Sequence, residues 1–385
     1  MILPKMIMKN ALRRKVRTAL TILAMGIAIL AFGLLRTVLT AWYAGVDASS
    51  ASRLVTRNSV SLVFPLPLAY QEKIRHVNGV GKVSYGSWFG GIYISEKNFF
   101  ANFAVEPASY LSLYPEIVVP EKEKADFLRD RRGFVAGRKL ADRFGWHLGD
   151  IVTLKGTIYP GSWDFVLRGI YTGRSRTVDE TQFFFHWDYL NEEVRKTYPS
   201  MADQVGFFMI GVKDPNLLAE VAREVDAMFA NSRAETLTES ERAFVMGFIS
   251  MTEAIVMVIR IVSLVVIIII LAVVANTMAM TTRERIGEYA ILKTLGYSGW
   301  HIGVLIMGEA MLIAMTGCLL GIAMTYPVVR FFTTELGAYF PIFYVESLTV
   351  WLDLGTAVLV GITAALIPTR QAVRIRIAEG LRRIG

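Results

Sequence analysis

Residues 276–296 read NTMAMTTRERIGEYAILKTLG, and this stretch decides the architecture. An apolar run, IVMVIRIVSLVVIIIILAVVA (255–275), ends in it, and another begins at His301 and continues to about Tyr326. Each is long enough to cross a hydrocarbon core, which takes about 20 residues. A short charged helix is therefore predicted between two membrane-length helices. Arg283, Glu284, Arg285, Glu288 and Lys293 give it polar faces, and Ile286, Ala290, Ile291 and Leu295 an apolar one. Glu284 and Glu288 are one-turn neighbours, as are Arg285 and Tyr289. Gly287 is tolerated, and Gly296 fits a helix stop. A loop whose charges only mark topology would account for the arginines. An amphipathic helix at this place points further, to a lever fused to two spans that offers a mixed surface to a soluble partner.

Working outward, residues 1–17 carry Lys5, Lys9, Arg13, Arg14, Lys15 and Arg17 and no acid. The apolar run that follows is interrupted only by Arg36. No clear small-x-small cleavage site follows it, so an uncleaved span is expected rather than a signal peptide. The basic cluster places the N-terminus on the inside. A fourth run covers 348–368, with Asp353 near its outer end and Ala357, Gly361 and Ala365 repeating every four residues as a close-packing stripe. Arg370, Arg374, Arg376, Arg382 and Arg383 after Pro368 return the C-terminus to the inside.

The expected layout is a basic segment (1–17), a first span (18–41), an extracytoplasmic domain (42–237), a stalk helix (238–253), a second span (254–280), the charged helix (281–300), a third span (301–327), an outer loop (328–347), a fourth span (348–368) and a tail (369–385). The fold class is thus an α-helical membrane protein with four transmembrane helices and a large α+β domain between helices 1 and 2. Within the domain, helical stretches such as EKEKADFLRD, RKLADRFG and PNLLAEVAREVDAMFA intersperse with strand-like ones such as DIVTLKGTIY and QVGFFMIGV, without a strict βαβ rhythm. Thr238 and Glu241 fit a capping box for the stalk, which with the second span would form one rigid rod.

Composition agrees. Hydrophobic residues make up 54% of the 385, and the mean hydropathy of +0.44 is too high for an ordinary soluble domain. The net charge of +8 lies beside the spans, and no RNA- or DNA-reading motif accompanies it, so no nucleic-acid partner is expected. The single cysteine, Cys318, lies in a span and allows no intrachain disulfide.

Chemistry-bearing motifs are few. Gly79-Val80-Gly81-Lys82 lacks the first glycine and the following Ser/Thr of a phosphate cradle and reads as a turn. His76, His147, His186 and His301 form no metal-ligand spacing, and there is no GxSxG elbow. No catalytic or metal residue is assigned. Glu309 is an ionisable residue inside a span, read as a hydrogen-bonded or protonated carboxyl of structural role. Most of the aromatics from Trp88 to Phe103 and at Phe183–Phe185 are expected in a core.

Several separated motifs resemble the FtsX/MacB-like permease family. They are Asn276, Met280, Arg283, Glu284, Arg285, Glu288 and Leu292–Gly296, then Glu309 with the Gly317/Gly321 pair, then Pro368, Ala372, Arg376, Ile377, Glu379, Gly380, Leu381 and Arg382. Gly380 stands where the family usually has alanine. PLPLAYQEKIRHVNGVGKVS and GRKLADRFGWHLGDIVTLKG resemble the MacB-like periplasmic domain, with an inserted subdomain near 117–200. The resemblance implies the permease subunit of a mechanotransmitting (MacB/LolC-type) ABC transporter in a bacterial inner membrane, with both termini cytoplasmic. ATP and Mg would be bound by a separate MacB/LolD-like ATPase and no cofactor by this chain. It implies ATPase coupling through Arg283, Glu284, Arg285, Glu288, Lys293, Leu295 and Gly296, and helix packing at Gly317, Gly321, Ala357 and Gly361. A second permease copy or homologous permease, membrane lipid, and a periplasmic adaptor with an outer-membrane channel are its implied partners, and efflux or lipoprotein release its implied tasks. The alternative is an FtsX-like regulatory module that activates cell-wall hydrolases or transmits a signal.

Overall fold

The computed structural model describes residues 2–336 and 342–375. Phe340, Pro341 and the C-terminal motif from Arg376 onward lie outside the described residues. The described residues divide into two compact units, one built on 2–41, 253–335 and 343–375, the other on 42–252 with 336 and 342.

In the first unit, uninterrupted apolar sequence has one way to satisfy its backbone away from water, which is the helix. Four helices are long and apolar enough to cross a membrane: Lys15–Ala48, Glu253–Glu284, Gly299–Thr333 and Ser347–Arg374. A shorter helix, Ile2–Ala11, precedes the first. The third helix carries Pro327 inside it and ends only at Leu336, and the fourth runs through Pro368 to Arg374. Both therefore extend past the prolines where the sequence places the ends of the spans.

Small residues let the helices meet. A Cβ on Gly317 would lie 2.5 Å from Met25 Cβ, and one on Gly321 would lie 2.7 Å from the Gly26 carbonyl oxygen, so the third helix rests directly on the first. Gly361 faces Met311 and Ala314 on the third helix, and Ala357 is fully buried. The second helix buries only a narrow stripe: Val256, Ser263, Ile270, Val274, Met278 and Thr282.

The second unit is α+β, built on a sheet whose strands run from edge to edge as Thr236–Ser240, Arg53–Asn58, Phe207–Val212, Val80–Trp88, Asn102–Val105, Phe183–His186, Gly133–Gly137, Gly161–Gly173, Ile151–Gly156 and Gly91–Ile92. Two pairings are parallel, Phe183–His186 with Asn102–Val105 and Gly133–Gly137 with Gly161–Gly173. The segment expected as an inserted subdomain continues this same sheet, and the short strand Gly91–Ile92 from before it pairs at the far edge.

The strand Phe183–His186 is buried on both faces. Phe183 and Phe185 enter a core with Phe89, Phe134 and Phe165, while Phe184 enters a second core with Tyr110, Phe127 and Tyr171. Phe134 and Phe183 stack with centroids 4.0 Å apart. Helices cover the sheet through spaced apolar positions, Trp187, Leu190 and Val194 in one and Val221, Val225 and Phe229 in another. Trp88 and Phe99 remain exposed. At Gly137 a Cβ would lie 2.0 Å from the Glu180 carbonyl oxygen, so only glycine admits that loop.

The predicted stalk differs in two ways. Thr238 is not a helix cap. It lies in the edge strand, where its hydroxyl meets that of Thr56 at 2.9 Å. The helix Glu241–Met251 is capped by Ser240 Oγ, which accepts from the Ala243 N–H at 3.2 Å. This helix stops at Thr252, whose hydroxyl donates to the Ile249 carbonyl and accepts from Trp42 Nε1, and the second long helix begins afresh at Glu253. A side chain that bonds its own backbone in this way competes with helix continuation.

Candidate functional site

The charged stretch divides at Arg285. Arg283 and Glu284 complete the second long helix, Arg285 leaves helical dihedrals at φ −107° and ψ 11°, and Ile286–Thr294 forms a separate short helix. Gly287 in its first turn weakens any continuous helix through the break. At the other end Gly296 takes φ +91°. Its N–H donates to the Lys293 carbonyl at 3.1 Å, and the Tyr297 N–H donates to the Leu292 carbonyl at 3.0 Å. These two bonds are the Schellman stop, which needs a left-handed residue and so favours glycine.

Most of the charged side chains turn inward. Arg285 donates through Nε to Glu288 at 3.1 Å and through Nη1 to Glu309, on the third long helix, at 3.0 Å. Its guanidinium stands 5.6 Å over the Tyr289 ring. The other Glu288 oxygen accepts from Arg13. Glu284 accepts from Arg14 at 2.9 Å and from both terminal nitrogens of Arg17 at 2.9 Å. Lys293 donates to the Val373 and Ile375 carbonyls at 2.8 and 2.7 Å, capping the fourth long helix. The break at Arg285 and the two helices it joins are thus bound to the first, third and fourth long helices and to the basic segment before them.

The electrostatics follow from these contacts. Partial burial pushes the Glu288 carboxyl up, but its bonds from Arg285 and Arg13 outweigh this and hold it below the ordinary value. Burial raises the Tyr289 hydroxyl to about 12 although Arg285 opposes it. Glu288 and Arg285 are therefore both charged at neutral pH.

Of the residues assigned from sequence to coupling, Glu284, Arg285, Glu288 and Lys293 face other parts of the same unit. Arg283, Leu295 and Gly296 stay at the surface. The side chains left outward on and beside the short helix include three large apolar ones: Ile291 is 45% exposed, Leu295 70% and Trp300 78%. Sequence reasoning found Glu309 but not its partner, and it assigned Trp300 no role. A tryptophan just past a glycine stop on a charged loop was the available signal.

The α+β unit holds a second ionic cluster that sequence reasoning missed. Arg53 is buried and donates through Nε to Glu241 at 2.7 Å, through Nη2 to Glu116 at 2.6 Å and through Nη1 to the Leu113 carbonyl at 3.0 Å. Its guanidinium lies 4.1 Å over the Tyr114 ring. Burial opposes its charge, but the two carboxylates outweigh burial and keep its value raised. Glu241 also accepts from the Ser50 N–H and the Tyr114 hydroxyl. No cluster of His, Cys, Asp and Glu able to hold a metal occurs among the described residues.

Residues 260–377 match the family described as the FtsX-like permease C-terminal. The matched segment runs from the second long helix through the short helix to the fourth, and it contains Glu288, Lys293 and Glu309. No curated protein matches the chain. Among solved structures, it is similar to the extracellular domain of the noncanonic ABC-type transporter YknZ from Gram-positive bacteria, at 11% identity over 49% of this chain and 100% of that one, with a TM-score of 0.36. It is also similar to the periplasmic region of MacB from Actinobacillus actinomycetemcomitans, at 7% identity over 53% of this chain and 95% of that one, with a TM-score of 0.38.

Proposed function

With an FtsX-like permease C-terminal region at residues 260–377, we propose that the chain is the membrane subunit of an ABC transporter driven by an ATPase on another polypeptide. The observation that carries this reading is the short helix Ile286–Thr294, tied by ion pairs to the long helices while Ile291, Leu295 and Trp300 stay uncovered. A partner that docks on this apolar surface pushes on a rigid joint, because Arg285, Glu288 and Glu309 pass the displacement to the third helix and Lys293 passes it to the fourth. ATP and Mg belong to the partner. Closure of two ATPase subunits beneath two permease copies drives the joint, and the domain at 42–252 handles the substrate on the opposite side of a bacterial inner membrane. The basic N-terminal segment and Arg370 and Arg374 support cytoplasmic termini.

The test is co-purification of the full chain in detergent with the candidate ATPase, scored by bound ATPase and by its turnover. Leu295→Glu and Trp300→Glu each remove an apolar anchor, which costs about 2 kcal/mol or more at an interface centre. Association should fall at least about 30-fold, while the thermal midpoint of the permease stays put. Glu288→Lys should instead lower that midpoint, because it opposes Arg13 and Arg285. Undiminished ATPase binding by both apolar variants defeats this assignment of the docking surface. If no ATPase binds wild type, the transporter reading fails.

A further inference from the structure

Within the membrane unit an open groove of about 730 Å³ lies between the beginning of the first long helix and the inner part of the second. One end is cationic, lined by Arg14, Lys15 and Arg17 with Arg13 beside them, and the wall is apolar, formed by Val16, Leu20 and Val273. No carboxylate lines it. All three wall residues are solvent-exposed in the isolated chain. Arg14 bonds Glu284 through Nη1, and Lys15 has no ion pair among the described residues. Three of the four cations here share two carboxylates, Glu284 and Glu288, so the mouth keeps a net positive charge.

The geometry points to a binding site for one anionic phospholipid, its phosphodiester at Lys15 and Arg14 and an acyl chain along Val16, Leu20 and Val273. Charge complementarity selects the headgroup, and the wall selects a lipid over a soluble anion, which would leave those side chains facing water. The position fits, because the groove joins a basic cluster to apolar helix surface at the level where headgroups meet acyl chains. Arg14 and Arg17 also hold Glu284, so the bound headgroup draws on the same guanidinium groups that anchor the end of the second helix. The site rests on the four helices lying in a membrane and is independent of ATP coupling.

The test is native mass spectrometry of the full chain in detergent, titrated with phosphatidylglycerol and with phosphatidylcholine of identical chains. Phosphatidylglycerol should bind at least about tenfold tighter, since each nearby cation contributes about a factor of five. Lys15→Glu, a change of two charges, should weaken it by about 30-fold. Val273→Trp fills the wall without altering charge and should also weaken it. Glycerol phosphate should not compete. Both positions are exposed, and an unchanged thermal midpoint checks the fold. Equal affinity for the two lipids, or indifference to Lys15→Glu, overturns the site. If Lys15→Glu acts and Val273→Trp does not, the attraction is diffuse and the groove is no site. Full competition by glycerol phosphate assigns the groove to a soluble anion. A copy–copy dimer that Val273→Trp abolishes and lipid leaves alone assigns it to an interface.

Discussion

Arg53 in the α+β unit is buried and Arg285 in the helical unit is half-buried; each is shared between two carboxylates, and they are held differently. Arg53 uses three nitrogens on Glu241, Glu116 and a carbonyl, and Glu241 in turn binds Ser50 and Tyr114. Glu241 is enclosed by these contacts, and Glu116 keeps 27% of its side chain exposed. Arg285 spends two nitrogens on Glu288 and Glu309, and Glu288 also accepts from Arg13, which is mostly exposed. The first cluster is closed and the second has an open branch. A closed cluster fixes one geometry. A cluster with a solvent-facing member can exchange that member while its core pair stays intact.

The contrast can be broken most easily at Arg53. Arg53→Met leaves the mostly enclosed Glu241 and the partly exposed Glu116 without their cation, which costs about 3 kcal/mol, the low end for a buried pair. Urea unfolding of the full chain in detergent, followed by the tryptophans of the α+β unit, should show the early loss, and an unchanged midpoint would mean that the cluster is not closed. A middle-sized effect is expected at the other hub. Arg285→Ala and Glu309→Gln should each destabilise the membrane unit, and the double variant should recover about 1–3 kcal/mol of the summed cost. Additive losses in that cycle would show that the joint is not one unit. By contrast, Arg13→Ala should change the thermal midpoint little, since it removes only the open branch.

The smallest effect sharpens the comparison by pH. His186 is buried, with Nε2 2.7 Å from the Phe127 carbonyl. Burial pushes its imidazole below the ordinary 6.5, although that carbonyl opposes the shift. The unfolded chain therefore takes up a proton below pH 6.5 that the folded one refuses. This contribution to stability is complete above 6.5 and is lost as pH falls through the lowered value. The unfolding midpoint of the α+β unit should fall over that window, and His186→Gln should flatten the slope. An unaltered slope in that variant would transfer the effect to another group.

The four long helices were legible because length and apolarity alone specify them. Their ends were not, because Pro327 and Pro368 lie inside helices that continue. In the α+β unit the helices were legible from spacing, while Thr238 was assigned to a helix because its strand pairing with Thr56 is 182 residues away. The charged stretch was found for the same reason as the spans, by contrast with its neighbours. The directions of its side chains were hidden, since Arg13 and Glu288 are separated by 275 residues and no local pattern pairs them. Charge on a helix between spans suggested an offered mixed surface, whereas the carboxylates are used internally and Ile291, Leu295 and Trp300 stand outward with Arg283.

Cys318 is the only sulfhydryl in the chain and is fully enclosed by the helices around it. The native protein is therefore already a quiet background for thiol-directed probes. A single cysteine placed at Leu295, or a pair placed at Arg13 and Glu288, would be labelled or cross-linked without first deleting a native thiol, and the distances across the joint could be followed by spin labels in a bilayer.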